Sequence, residues 1–326
     1  MRALACPASY KGALAAPEAA AALAAGLRAG GVDADECPVA DGGEGTAEVL
    51  RLALGGGWRE ADAHDPLGRP IRARWLLLPD GTGVVEAAAA LGLPLVEPDE
   101  LDPLRASSAG FGELIAAALD AGATSLLLCL GGTATVDGGL GLRTALERLR
   151  GSEPLGRVRA VAACDVATRL GDAARLFGPQ KGASPADVAE LDRRLAADTA
   201  LRPFAALPGS GAAGGLGAAV AALGAELRPG AAAVLEAVGF AERLRGAALA
   251  VTGEGELDGT TAEGKAPAEV ARACAAAGVR CVVAAGRVRV PLAGAEAREL
   301  SGDPAATAQD LVRLGGELAA AVLGGA

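Results

Sequence analysis

Aromatic side chains make up only 2% of this 326-residue chain, although 51% of it is hydrophobic. The interior must therefore be filled mainly by Ala, Val and Leu packed closely between helices and strands, which favours α/β layering over an aromatic-rich β-sandwich. Positive charge is also short. Lysine and arginine total 30 against 40 Asp and Glu, a formal charge of −10, so no electrostatic surplus faces the phosphates of a nucleic acid and no such partner is expected. The single histidine, His64, precedes Asp65-Pro66 in a turn without a second histidine or a serine motif, and reads as a surface residue rather than a base. Six cysteines (Cys6, Cys37, Cys129, Cys164, Cys274, Cys281) show neither CxxC nor metal-like spacing and read as reduced core thiols. The uncharged stretch 204–225 is broken by Pro208 and several glycines, so a loop entering a buried helix explains it better than a membrane span. Lys11 arrives before any apolar stretch long enough for a signal sequence, and a cytoplasmic protein is expected.

The length suits two domains or one large α/β body. Short apolar runs alternate with Ala-rich helical stretches, the pattern of βα units around parallel sheets. Expected strands are Leu4–Pro7, Ser125–Leu130, Arg159–Cys164, Ala247–Thr252 and Arg280–Ala285, and a first helix is expected over Pro17–Gly30. Between Arg59 and Val96 the segments Arg69–Leu78 and Gly83–Ala87, joined by Pro79-Asp80-Gly81, predict a hairpin in an inserted or second lobe. The expected organisation is a discontinuous Rossmann-like domain, residues 1–58 with about 245–326, and a second α/β domain over about 59–244 carrying the glycine-rich loops.

Lysine is rare as well: Lys11, Lys181 and Lys265 are the only three, and each lies beside a glycine. A compact ammonium can approach phosphate or carboxylate oxygens where a planar guanidinium would not fit, so the set reads as ligand-facing, against the alternative of chance survival in an arginine-biased chain. Four glycine-rich turns are present: ADGGEGT (40–46), GGTATVDGGLG (131–141), GSGAAGGLG (209–217) and TGEGELD (252–258). Such loops let backbone N–H groups converge on oxyanions, and together they predict an anionic site at the carboxyl ends of strands. The carboxylates Asp41, Glu44, Asp137, Asp165, Glu254 and Asp258 lie in or beside these turns, where they could orient an alcohol or hold magnesium, or simply cap helices and close Asx turns. Gly259–Lys265 matches G-x-x-x-x-G-K, but Ala266 stands where a Walker loop needs Ser or Thr.

These segments, with PASYKG (7–12), Asp102-Pro103-Leu104, Gly112–Ile115, Ala163–Val166, FGPQKGAS (177–184) and Thr252–Pro267, run in an order that resembles the bacterial glycerate kinase family. The resemblance implies two α/β domains with mostly parallel sheets, an active-site cleft between them, and transfer of the γ-phosphoryl of ATP to a hydroxyl of D-glycerate with Mg²⁺. It places Lys11, Asp41, Asp165 and Lys181 in catalytic roles. Ser9, Gly42, Gly43, Glu44, Gly45, Thr46, Gly131, Gly132, Thr133, Thr135, Asp137, Gly138, Gly139, Gln180, Gly214, Gly215, Thr252, Gly253, Glu254, Gly255, Asp258 and Lys265 are implied as substrate- or phosphate-binding. Asp165, Asp41 and Glu254 are the metal candidates, and a homodimer is compatible with the chain. The sequence departs from the family pattern at Ala8, Ala109, Phe111 and Val136, where polar residues are usual, and is shortened mainly between Leu142 and Arg159 and beyond Val290. Loss of such polar groups motivates a second expectation, a nucleotide or organic-anion binding protein on the same scaffold with impaired turnover.

Overall fold

The computed structural model describes residues 1–156 and 158–324. In chain order the first elements are β1 (Arg2–Ala5), α1 (Ala16–Ala29), β2 (Asp33–Glu36), α2 (Thr46–Leu54), β3 (Gly57–His64), β4 (Pro70–Leu77), β5 (Thr82–Glu86), α3 (Ala88–Leu91), α4 (Ala109–Asp120), β6 (Ser125–Leu130) and α5 (Leu140–Arg150). There follow β7 (Arg159–Cys164), α6 (Ala173–Phe177), α7 (Pro185–Ala197), α8 (Ala212–Ala222), β8 (Glu226–Pro229), α9 (Gly230–Ala237), α10 (Phe240–Leu244), β9 (Leu249–Leu257), α11 (Ala266–Ala277), β10 (Arg280–Val288), β11 (Glu296–Glu299) and α12 (Thr307–Gly324). The chain divides into two compact units, one of Met1–Asp41, Glu48–Ala53 and Ala231–Ala326 and one of Gly42–Ala47 and Leu54–Gly230. These limits differ from the expected 58 and 244: the glycine-rich turn 42–47 belongs to the second unit, and the first resumes already at Ala231.

The first unit holds a five-stranded parallel sheet in the order β11-β10-β9-β1-β2. Its scarcity of large side chains is met by close backbone approach. Gly26 of α1 leaves no room for a Cβ, which would lie 2.0 Å from the Val312 carbonyl oxygen, and Gly315 of α12 abuts Leu23 and Leu27 in the same way. Leu23, Leu27, Val251, Val282, Leu311 and Leu318 fill the space between these helices and the sheet. Among the expected strands, the run Leu4–Pro7 begins earlier, at Arg2, and Ala247–Thr252 continues through the glycine-rich TGEGEL as far as Leu257. That segment is therefore extended strand rather than a loop, held by pairing with β10 out to Leu257 opposite Val288.

The second unit holds a six-stranded sheet, β3-β4-β5-β6-β7-β8, antiparallel across β3, β4 and β5 and parallel from β5 to β8. The expected hairpin is present. Leu78 N–H donates to Thr82 O, Gly81 takes a φ of +87° that glycine tolerates, and Asp80 accepts from Thr82 N–H. It lies within the second unit's own sheet, between β3 at the edge and β6. His64 closes β3 rather than lying in a turn, and its Nδ1 is 3.0 Å from the Glu113 carboxylate. All six cysteines are buried and none forms a disulfide among the described residues, and the residues 212–222 form the buried helix expected there. Among the described residues no helix is long and apolar enough to cross a membrane.

Candidate functional site

Open α/β sheets bind ligands beyond the carboxyl ends of their strands. Most of the sequence-selected residues gather there, separately in each unit.

In the first unit β1 runs into Cys6–Lys11 and β2 into Cys37–Asp41, while the carboxyl half of β9 carries Thr252–Leu257. Tyr10 is buried and its hydroxyl donates to Ala284 O at 3.0 Å, which pins the loop that presents exposed Ser9 and Lys11. Gly253 has no room for a side chain, since a Cβ would lie 2.0 Å from Ala284 O and 2.3 Å from the Tyr10 hydroxyl; Gly255 faces the Lys11 backbone. Glu254 accepts a 2.7 Å hydrogen bond from Thr261 Oγ1. Burial raises its carboxyl above the ordinary range, and the Thr261 bond and the Lys265 ammonium oppose that rise, while Asp41 and Asp258 add to it. Asp258 closes an Asx turn by accepting from Thr260 N–H, Thr260 Oγ1 and Thr261 N–H, which together hold its carboxyl below the ordinary range. Lys265 stands just before the first turn of α11, so Asp41, Glu254, Asp258 and Lys265 form one charged group. The Thr252 hydroxyl is fully buried with no hydrogen-bond partner among the described residues.

In the second unit β6 ends at Leu130 and β7 at Cys164, which puts Gly131–Thr135 and Asp165 side by side on the carboxyl edge. The turn 42–46 lies against them. A Cβ on Gly131 would meet Asp165 Oδ2 at 2.7 Å and the Gly43 Cα at 2.9 Å, and one on Gly42 would meet Gly230 Cα at 2.7 Å. Gly132, Glu44 and Gly45 are exposed, whereas the Thr46 and Thr135 hydroxyls are buried without a partner among the described residues.

Lys181 is 2% exposed, so it does not face solvent. Its Nζ donates to Thr135 O at 2.7 Å and Thr133 Oγ1 at 3.2 Å, beneath the loop 131–139. Desolvation lowers it from its ordinary 10.5 to about 7, against the pull of the Asp165 and Asp137 carboxylates. Gln180 beside it is exposed. Gly214 and Gly215, expected to cradle phosphate, are instead buried below the same loop. A kink at Ala213–Gly215 with positive φ lets Gly214 O accept from Gly138 N–H, and a Cβ on Gly214 would lie 2.1 Å from Thr135 O.

Asp137 is spent on the scaffold. Its Oδ2 accepts from Ser108 N–H, Ser108 Oγ and Gly141 N–H at 2.7–3.0 Å, and its Oδ1 accepts from Gly139 N–H. Ser108 Oγ in turn accepts from Leu142 N–H, so the pair ties the amino ends of α4 and α5 together. Asp137→Ala is expected to cost ~3 kcal/mol in urea unfolding, because several buried donors lose their acceptor at once. An unchanged midpoint would show that the loop does not depend on this carboxylate.

Of the departures from the family pattern, Phe111 and Val136 are buried in the second unit's core at 0% and 1% exposure. Ala109 and Val136 also border a cavity of about 650 Å³ with Pro103, Arg105, Ser107 and Thr144. Ala8 donates its N–H to Gly253 O.

Three residues with evident roles escaped the sequence reading: Glu86, Ser108 and Thr261. Glu86 carried a usable signal, since it is a carboxylate ending an apolar strand, as Asp165 nearly does. The other two did not.

Among known proteins, the model of the glycerate kinase family matches residues 3–150 and 148–303. Over 296 residues the chain is 40% identical to the glycerate 2-kinase of Escherichia coli K12, and 41% identical to the glycerate kinase of Bacillus subtilis 168. Each match covers 79% of this chain and 78% of the other. A crystal structure provisionally described as glycerate kinase 2 from Salmonella typhimurium LT2 superposes with a TM-score of 0.85 at 33% identity, covering 100% of this chain and 99% of that one. With its motifs in family order and both sheets carrying them on their carboxyl edges, the chain belongs to the glycerate kinase family.

Proposed function

We propose that this protein transfers the γ-phosphoryl group of ATP to a hydroxyl of D-glycerate or a closely related hydroxy acid. The observation that carries the reading is family membership over most of the chain, together with relatives named glycerate kinase at about 40% identity. The site chemistry agrees with it. Phosphoryl transfer asks for positioning and for positive charge near the moving group, which exposed backbone N–H groups and ammonium side chains supply. Lys11 and Lys265 supply charge in the first unit, and the glycine-rich turns 42–46 and 131–132, exposed at Glu44, Gly45 and Gly132, offer backbone in the second. Asp165, half-buried on the carboxyl edge, is the group we assign to orient or deprotonate the acceptor hydroxyl.

Among the described residues no three His, Cys, Asp or Glu side chains form a metal cage. Hard-oxygen donors suit Mg²⁺, which one or two carboxylates hold together with waters and phosphate oxygens. Asp165, Asp41 or Glu254 would provide them, and the ion when bound would neutralise charge on the phosphates.

The name of the Escherichia coli relative supports the 2-hydroxyl as acceptor. Incubation with ATP, Mg²⁺ and D-glycerate, followed by ³¹P NMR and an ADP-release assay, should give 2-phosphoglycerate with stoichiometric ADP. Thermal stabilisation by these ligands without any product would instead support the binding-protein reading. The burial of Phe111 in the core removes that position from the case for the second reading, because an apolar residue there replaces packing rather than a ligand contact, whereas Ala109 and Val136 line a cavity.

A further inference from the structure

Residues 42–45 form the turn that leads into α2 at Thr46. Gly42 and Gly45 take positive φ, and the bond from Thr46 N–H to Gly43 O inside the turn is a long 3.4 Å. A turn closed by so long a bond needs an outside anchor to hold one geometry. Gly42 is wedged at one end, against Gly230 and Ala163. The other end meets Glu86.

Glu86 is the last residue of β5, paired in register with Cys129, and so it stands on the carboxyl edge two residues from the level of Gly131. Its Oε1 accepts the Ala47 N–H at 2.8 Å, and the Gly45 N–H is directed at the same carboxylate. Ala47 lies in the first turn of α2, where backbone N–H groups have no partner within the helix and a carboxylate is favoured. We propose that Glu86 is a positioning residue that fixes the 42–47 turn, and with it the exposed residues Glu44 and Gly45, over the carboxyl edge of the second unit's sheet. Burial raises the Glu86 carboxyl above its ordinary range and the nearby Glu44 adds to this; the Ala47 and Gly45 N–H groups and the Arg74 guanidinium act the other way. An acid kept half-buried at such a cost has its oxygens committed to what they hold. For its activity readout, the inference rests on the phosphoryl-transfer reading; its structural readout does not.

The test compares Glu86→Ala, Glu86→Gln and Ala47→Pro. The last deletes the donor at a first-turn position where proline is tolerated, so it probes the same bond without emptying the carboxylate's site. Amide hydrogen exchange is expected to quicken about ten-fold or more at residues 43–46 in Glu86→Ala and Ala47→Pro, with amides of β6 and β7 unchanged. Glu86→Gln, which keeps one acceptor oxygen, should recover most of the protection. In the same series kcat should fall ~10- to 100-fold with a smaller change in KM for the acid, and the effects of Glu86→Ala and Ala47→Pro should not add. Exchange at the turn that stays at the wild-type rate, or that quickens equally in β6 and β7, overturns the proposal. Absence of turnover in the wild-type protein would count against phosphoryl transfer alone, and exchange would still decide the role of Glu86.

Discussion

Lys181→Met is expected to lower kcat/KM for glycerate phosphorylation about 10³-fold, on the order of 4 kcal/mol, because two charge-assisted hydrogen bonds hold the loop 131–139 from below. Methionine fills much of the same volume, so the change isolates the ammonium from the packing. A pH series separates its two contributions. Above about 7 the neutral amine can still donate to Thr133 and Thr135, but its charge is gone, so turnover should decline as the pH rises through that value. Folding stability should move the opposite way. Between about 7 and the ordinary 10.5 the unfolded chain carries a proton that the folded chain has released, so stability increases with pH across this window, at up to ~1.4 kcal/mol per unit. Below it the full cost of the buried charge is borne. Urea midpoints measured from pH 6 to 10 should show that rise in the wild type and lose it in Lys181→Met. A variant with full kcat/KM and an unaltered pH slope would remove Lys181 from both roles.

Gly131→Ala should cost ~10²-fold or more in kcat/KM while leaving the overall melting temperature within a few degrees. The added methyl would approach Asp165 Oδ2 to 2.7 Å and Gly43 Cα to 2.9 Å, so both must shift, and they are the neighbours through which the turn 42–46 and the proposed acceptor base share one edge. The carboxylate can rotate, but the Gly43 backbone can yield only by moving the turn. Gly132→Ala is the control one residue on. Its φ of +68° adds strain, yet its Cβ would meet nothing closer than 3.5 Å, and a loss of activity as great as that of Gly131→Ala would show that backbone strain rather than the Asp165 contact is responsible.

Strands Ser125–Leu130 and Arg159–Cys164 were legible to the residue, because fully buried parallel strands are continuous apolar runs bounded by small or charged residues. TGEGEL was not: four of its six residues disfavour strands, and only pairing with β10 across the sheet extends it. The same limit applied to the site. Motif content located Asp41, Asp165, Lys11 and Lys265 on carboxyl edges, since a strand followed by glycine or aspartate marks those edges in the sequence itself. It could not tell a donor facing outward from one holding a loop from behind. Lys181 and Asp137 sit in motifs as rich as the others, but their partners are Thr133, Thr135, Ser108 and Gly141, contacts that exist only once the helices are packed. Gly214 and Gly215 illustrate the same point, as glycine permits close backbone approach to a ligand and to another loop equally well.

During synthesis on the ribosome, β1 and β2 emerge first and pair only with each other, since the next neighbour of β1 is β9, more than 240 residues downstream. A two-stranded parallel pair has little independent stability. The entire run from Leu54 to Gly230 can meanwhile collapse around its own core, so the amino-terminal sheet is completed last. Proteins arrested before Leu249 should therefore display a protease-resistant middle and a labile beginning, an order of maturation opposite to the order of translation.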